Sequence, residues 1–203
     1  MITTPRHTVL VRITHWITAA SVAGLLVSGV AILLAHPRLY WGETGAVGGP
    51  SLIDLPLPFV LTGQSGWGRS LHFLSAWIIV ICGLVYVAAG IRAGHFRERL
   101  FSNSGLYNTA QRRTYAAVVF VLFPVLIWTG LAMSPAIVSV APVLVTTLGG
   151  QQTARTIHFV AAAALVVFIV GHVVMVWLNG PMTLIVEMVA PRKAAPYAGG
   201  LRR

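Results

Sequence analysis

The stretch RTIHFVAAAALVVFIVGHVVMVWLN, residues 155–179, decides how the rest of the chain is read. From Ile157 to Asn179 it carries no charged side chain, and its length suits the ~20 residues that cross a ~30 Å hydrocarbon core. Two histidines interrupt it. His158 stands near one end and His172 lies 14 residues further on. At ~1.5 Å and ~100° per residue, that spacing gives ~21 Å of height and a rotation ~40° short of four turns. The two imidazoles therefore face much the same side of one spanning helix, one in each half of a bilayer.

Three further apolar windows have the same character: Ile13–Ala35, Leu71–Ile91 and Tyr115–Ser134. Four spans predict an all-α integral membrane protein, a four-transmembrane-helix bundle forming one domain over residues 1–203. Composition agrees, because 57% of residues are hydrophobic and only 9% charged, against ~25% charged in an average soluble domain. The net charge of +10 does not point to nucleic acid, since the basic residues flank apolar stretches, where lipid headgroups are their natural partners. Cys82 is the single cysteine, so neither an intrachain disulfide nor a four-cysteine iron–sulfur site is available. No cleavable signal peptide is expected, because Ile13–Ala35 is longer than a signal core and lacks a small-residue cleavage site.

Charge sets the orientation. Eleven of the 14 basic residues lie before the first span, between the second and third, or after the fourth; Arg38, Arg69 and Arg155 lie on the other side. The positive-inside rule then places both termini in the cytoplasm. The outer loop 36–70 is longer than a helix turn-around needs. Tyr40, Trp41, Leu55, Leu57 and Phe59 give it contact area, and Glu43 and Asp54 give it charge. A docking or site-covering role and a passive interfacial cap both fit these residues. The run Met182–Ala190 is too short to cross again and suits the interface.

With antiparallel neighbours, His72 and His158 share the outer level while His15 and His172 share the inner one. Two bis-imidazole haem b groups, one above the other, follow from that pairing, with the fourth span donating to both. A multinuclear metal site needs convergent ligands, which a ~21 Å separation forbids. Gly29 lies on the His15 face at the outer level, and Gly83 on the His72 face at the inner level, each leaving room for a flat macrocycle; ordinary close helix packing is the competing account. The pattern Arg-x-x-His recurs at Arg12/His15, Arg69/His72 and Arg155/His158. Each arginine stands one turn nearer water, placed either to neutralise a haem propionate or to anchor the helix at the interface. His95, in a fourth copy with Arg92, belongs to the inner interface. His7 belongs to the N-terminal segment, and His36 either caps the first span or lies over the outer haem.

Four segments carry a family likeness: Arg12-Ile13-Thr14-His15-Trp16; His36-Pro37-Arg38-Leu39-Tyr40-Trp41-Gly42-Glu43-Thr44-Gly45; Gly66-Trp67-Gly68-Arg69-Ser70-Leu71-His72-Phe73; and Arg155-Thr156-Ile157-His158-Phe159 followed by His172. The chain resembles the bacterial cytochrome b561 and hydrogenase/formate-dehydrogenase cytochrome b superfamily, most of all its thiosulfate reductase cytochrome b branch. That resemblance implies a multi-pass protein of the bacterial inner membrane that exchanges electrons with quinone and serves a periplasmic redox protein, often a molybdoenzyme. A self-contained superoxide:ubiquinone oxidoreductase is the alternative, with Arg38, Arg69 and Arg155 drawing the anion to a haem edge. No catalytic residue is assigned. Polar groups for quinone exist on the inner side at Arg12, His95, Arg112 and Arg113, and on the outer side at Gln64, Arg69 and Ser70, and the sequence does not choose between them.

Overall fold

The computed structural model describes residues 8–44, 49–56, 65–92 and 109–189. His7, Leu57, Phe59, Gln64, His95 and the charges in 93–108 and 190–203 lie outside the described residues. Helix α1 runs Val9–Ala35 and α2 runs Ser65–Arg92. The third span consists of α3 (Thr109–Ala117), a π-helical turn (Val118–Leu122) and α4 (Phe123–Ala132). Two four-residue helices follow, α5 (Pro135–Val138) and α6 (Val143–Thr146), then α7 (Gln151–Leu178) and α8 (Pro181–Val189).

Four helical segments are long and apolar enough to cross a membrane: Val9–Ala35, Gly66–Arg92, Arg113–Ala132 and Gln151–Leu178. These are the four spans read from hydropathy. However, α2 and α7 each begin six residues before their apolar windows, at Ser65 and Gln151. Six residues add ~9 Å of helix ahead of each window, and this extension carries Arg69 and Arg155 on regular helix, one turn from His72 and His158. Pro124 accounts for the π-turn. It has no N–H to donate and its ring crowds the preceding turn, so the helix widens and Phe123 donates to Val118.

The spans form two hairpins. Within the first, α1 packs along α2; within the second, α4 packs along α7. Among the described residues, helices of different hairpins touch at isolated points only. Small residues bring α1 and α2 together: a Cβ on Gly24 would stand 2.6 Å from the Ser75 hydroxyl, and one on Gly68 3.3 Å from Ala31. In lipid there is little hydrophobic gain between helices, so backbone approach and van der Waals contact hold such a pair. The buried hydroxyls in this seam satisfy themselves locally. Thr14 donates to Leu10 at 2.9 Å and Ser28 to Gly24 at 2.7 Å.

The two hairpins are tied at both ends. On the side where the spans begin and end at residues 92 and 113, Tyr86 and Tyr115 share a 2.8 Å hydrogen bond between their hydroxyls. On the opposite, loop side, the segment after α1 crosses to α7. The Gly42 carbonyl accepts from Gln152 and Thr153 at 3.0 and 3.2 Å, and its N–H donates to the Thr153 hydroxyl at 2.8 Å. A loop carbonyl thus caps the N-terminus of α7, whose first N–H groups have no partner within the helix. Thr156 donates to the Tyr40 carbonyl at 2.6 Å and Arg155 to the His36 carbonyl. Residues 36–42 therefore fasten one hairpin to the other. The strand pair β1 (Arg38–Leu39) and β2 (Ile53–Asp54) continues this segment, with Leu39 buried and Arg38 paired to Asp54 at 3.2 Å. Arg38 and Asp54, separate surface charges in the sequence reading, are spent on each other. Beside the latch, α5 and α6 cover a small apolar core of Ala132, Val145 and Ala154, and Trp128 donates to the Leu144 carbonyl at 3.2 Å.

Gly150 is where this latch is least forgiving. Its φ is +117°, and a Cβ there would stand 2.6 Å from the Glu43 backbone. Gly150→Ala should cost about 1–3 kcal/mol from conformational strain alone, visible as a lower melting temperature of the detergent-purified protein. An unchanged melting curve would show that the latch bears little of the fold's stability.

Candidate functional site

Both histidine pairs bridge the gap between the hairpins. His72 on α2 faces His158 on α7 with ring centroids 6.1 Å apart and planes at 59°. His15 on α1 faces His172 on α7 at 6.3 Å and 63°. One pair lies toward the loop side and the other toward the terminal side, separated by the ~21 Å that 14 helical residues span. Two imidazoles on one metal, with metal–nitrogen bonds of ~2 Å and ~1.1 Å from nitrogen to ring centre, place their centroids ~6 Å apart. The donor set points the same way. Among the described residues no three His, Cys, Asp or Glu side chains gather as a metal cluster. Two imidazoles leave a six-coordinate ion four ligands short, the number a tetrapyrrole supplies in its plane.

The loop-side rings are held alike. Ser28 Oγ lies 3.0 Å from His72 Nδ1, and Thr129 Oγ1 lies 2.8 Å from His158 Nδ1. Each hydroxyl also donates 2.7 Å to the carbonyl four residues back on its own helix, Gly24 for Ser28 and Val125 for Thr129. A glycine follows each. A Cβ on Gly29 would sit 3.8 Å from His72 Cε1, and one on Gly130 3.6 Å from His158 Cε1. Ser28, Thr129 and Gly130 were not singled out from sequence. The available signal was a repeat: Ser28-Gly29 with Arg69-Ser70-Leu71-His72-Phe73 in one hairpin, Thr129-Gly130 with Arg155-Thr156-Ile157-His158-Phe159 in the other.

Aromatic side chains lie beside the terminal-side pair. Trp16 stands edge-on to His15 at 5.5 Å, and Phe168 stacks on His172 at 6.1 Å and 22°. Trp16 also donates to the Met188 carbonyl of α8 at 3.3 Å, so α8 returns to the start of α1. This is the short apolar run that the sequence placed at the interface. Gly83 is exposed, and a Cβ there would meet nothing within 4 Å. An open apolar groove of about 530 Å³ runs between the third and fourth spans at the π-turn. Val118, Val121, Leu122, Ala164 and Phe168 line it, which brings it to the neighbour of His172.

The three arginines differ in their engagements. Arg12, one turn from His15, has its Nε buried with no hydrogen-bond partner among the described residues. A buried guanidinium nitrogen of this kind calls for an acceptor, and a haem carboxylate beside the terminal-side pair would be one. Arg155 gives one donor to the His36 carbonyl and retains four others in its fork. Arg69 is exposed on α2. His36 serves as the C-cap of α1, its N–H donating to Ile32 and Leu33.

Comparison with known proteins places the chain in a family. Residues 6–190 match the family described as prokaryotic cytochrome b561. A relative in Azospira oryzae (strain ATCC BAA-33 / DSM 13638 / PS), named for a protein-methionine-sulfoxide reductase subunit, YedZ1, is 30% identical over 205 residues. That match covers 88% of this chain and 93% of the relative. No solved structure matches the chain.

Gly130 offers a test of the site's tolerance. A Cβ at 3.6 Å from His158 is ordinary contact, so Gly130→Ala should keep the visible spectrum of the purified protein. The branched side chain of Gly130→Leu would displace the ring and should remove a substantial part of the bound pigment, read as absorbance per protein. Full pigment in the leucine variant would mean that the space beside His158 is not needed.

Proposed function

The chain belongs to the prokaryotic cytochrome b561 family, and we propose that it is the two-haem membrane carrier that passes electrons from quinol to a redox enzyme on its loop side. One observation carries this reading: four imidazoles from three helices stand as two pairs, at 6.1 and 6.3 Å, at two depths of one bundle. His72 and His158 would hold the loop-side haem b, and His15 and His172 the terminal-side one. Haem b, when bound, supplies one-electron chemistry at a potential set by its ligands and surroundings. The protein's part is to hold the rings, exclude water and keep the polar edges satisfied.

The relative's name supports a substrate class for the partner. Reducing one methionine sulfoxide to a thioether consumes two electrons and two protons and releases water, and oxidation of one quinol supplies the same numbers. The apolar groove beside Phe168 supports access for a lipid-soluble carrier from within the bilayer. The excess of basic residues on the terminal side supports a cytoplasmic location for both termini, which sets the loop side toward the periplasm. There Trp41, Val140 and Val143 are 60%, 80% and 59% exposed on a surface fastened by the latch, as a modest redox interface would require. Naming as a reductase subunit favours a conduit over the self-contained superoxide oxidase.

The purified protein should contain two haems per chain and become reduced on adding quinol. His72→Ala and His158→Ala should each remove about half of the haem and leave the same spectrum behind; His15→Ala should leave the complementary one. One haem in the haem-replete native protein would defeat the arrangement. Trp41→Asp and Val140→Asp should slow electron delivery to the copurified partner severalfold while quinol still reduces the haems at the native rate. Undiminished delivery by both would remove the loop side as the docking face.

A further inference from the structure

We infer that Ser28 and Thr129 are positioning residues that fix His72 and His158, the imidazoles that would hold the loop-side haem, in the Nδ1–H form and thereby lower that haem's potential. The inference rests on the two-haem reading above. It follows from where each hydroxyl proton goes. Ser28 Oγ stands 2.7 Å from the Gly24 carbonyl and Thr129 Oγ1 2.7 Å from the Val125 carbonyl, so each O–H is committed to an acceptor that cannot donate. The oxygen can then meet a ring nitrogen only through its lone pair. His72 Nδ1 at 3.0 Å and His158 Nδ1 at 2.8 Å must accordingly carry the proton. In a neutral imidazole that leaves Nε2 bare, the state a metal ligand needs.

Burial makes the arrangement hard to escape. Ser28 is 0% exposed and Thr129 1%, so no solvent competes for either hydroxyl, and the other tautomer would set two lone pairs against each other. An Nδ1–H drawn toward an acceptor makes the imidazole a stronger donor to its metal. Stronger donation would favour ferric over ferrous iron, and here both histidines of one pair, His72 and His158, would give it. The glycine after each hydroxyl keeps the ring edge clear, so Ser28-Gly29 and Thr129-Gly130 act as one cradle repeated in the two hairpins. Trp16 and Phe168 flank the terminal-side pair.

The test is an optical and electron-paramagnetic-resonance redox titration of the full-length, haem-loaded protein. Two haems in the native protein are the precondition, and a lower number refutes the two-haem reading rather than the role of the hydroxyls. With two present, Ser28→Ala and Thr129→Val should each raise the midpoint of one haem, the one absent from His72→Ala, while the other stays in place. Thr129→Ser should restore the native value. Loss of that haem in Thr129→Val also counts for the inference when Thr129→Ser recovers it. Unmoved midpoints, equal shifts of both haems, or a serine variant that behaves as the valine one would overturn it.

Discussion

A neutral imidazole that is to hold a metal inside hydrocarbon has two nitrogens with opposite needs: one must stay bare, while the other holds a proton that requires an acceptor. Lipid supplies none. The chain meets the second need with hydroxyls that have already given their own protons to the helix backbone, a fold-back bond that serine and threonine form readily four residues along. Because that bond occupies no neighbouring helix, the oxygen remains available across the seam. The seam must then be narrow. Gly24 against Ser75 and Gly68 against Ala31 make it so between α1 and α2, and a long side chain at either glycine would push Ser28 away from His72. Helix packing and ligand orientation are therefore one requirement in the first hairpin.

Each hairpin is closed on itself and open toward the other, which is how a four-helix bundle keeps room for flat groups in its middle. The cost is weak cohesion between hairpins. It is offset at the edges, by the Tyr86–Tyr115 hydrogen bond on the terminal side and by the Gly42 carbonyl on the N-terminus of α7 on the loop side. The loop-side tie is the stronger, with four α7 residues, Gln152, Thr153, Arg155 and Thr156, bonded to the segment 36–42. Part of the long loop is thus neither a passive cap nor a free docking arm. Its first fifth fixes the distance across which His72 and His158 face one another.

The spans, their number and the level of each histidine were legible in the sequence, because hydropathy and the 3.6-residue repeat are local properties that a bilayer amplifies. Arg12, Arg69 and Arg155 were legible for the same reason, as a fixed spacing on a helix. Ser28 and Thr129 were not. A hydroxyl in a membrane helix usually bonds its own backbone, and only the position of the adjacent helix shows that a histidine lies on its other side. The latch was hidden differently, since backbone carbonyls carry no sequence identity: nothing in Gly42 marks it as the cap of a helix more than 100 residues away. The helices α5 and α6 were missed because four-residue turns leave no periodicity, although the apolar run around Val138 to Leu148 hinted that this connection is covered rather than solvated.

The third span separates the two ends of the bundle in kind. Below Pro124 the π-turn widens the helix and a groove opens against α7; above it, Thr129 and Ala132 are buried against the fourth span. The loop-side half is consequently close-packed, latched and bordered by hydroxyls, whereas the terminal-side half is aromatic, grooved and open to lipid. A lipid-soluble donor needs an entrance within the bilayer, and a protein partner needs a rigid surface outside it. On the proposed reading the two halves would supply these separately, with α7 continuous between them and a histidine of each pair on it. That continuity makes the fourth span, which carries both His158 and His172, the shortest covalent connection between the two ends of the proposed electron path.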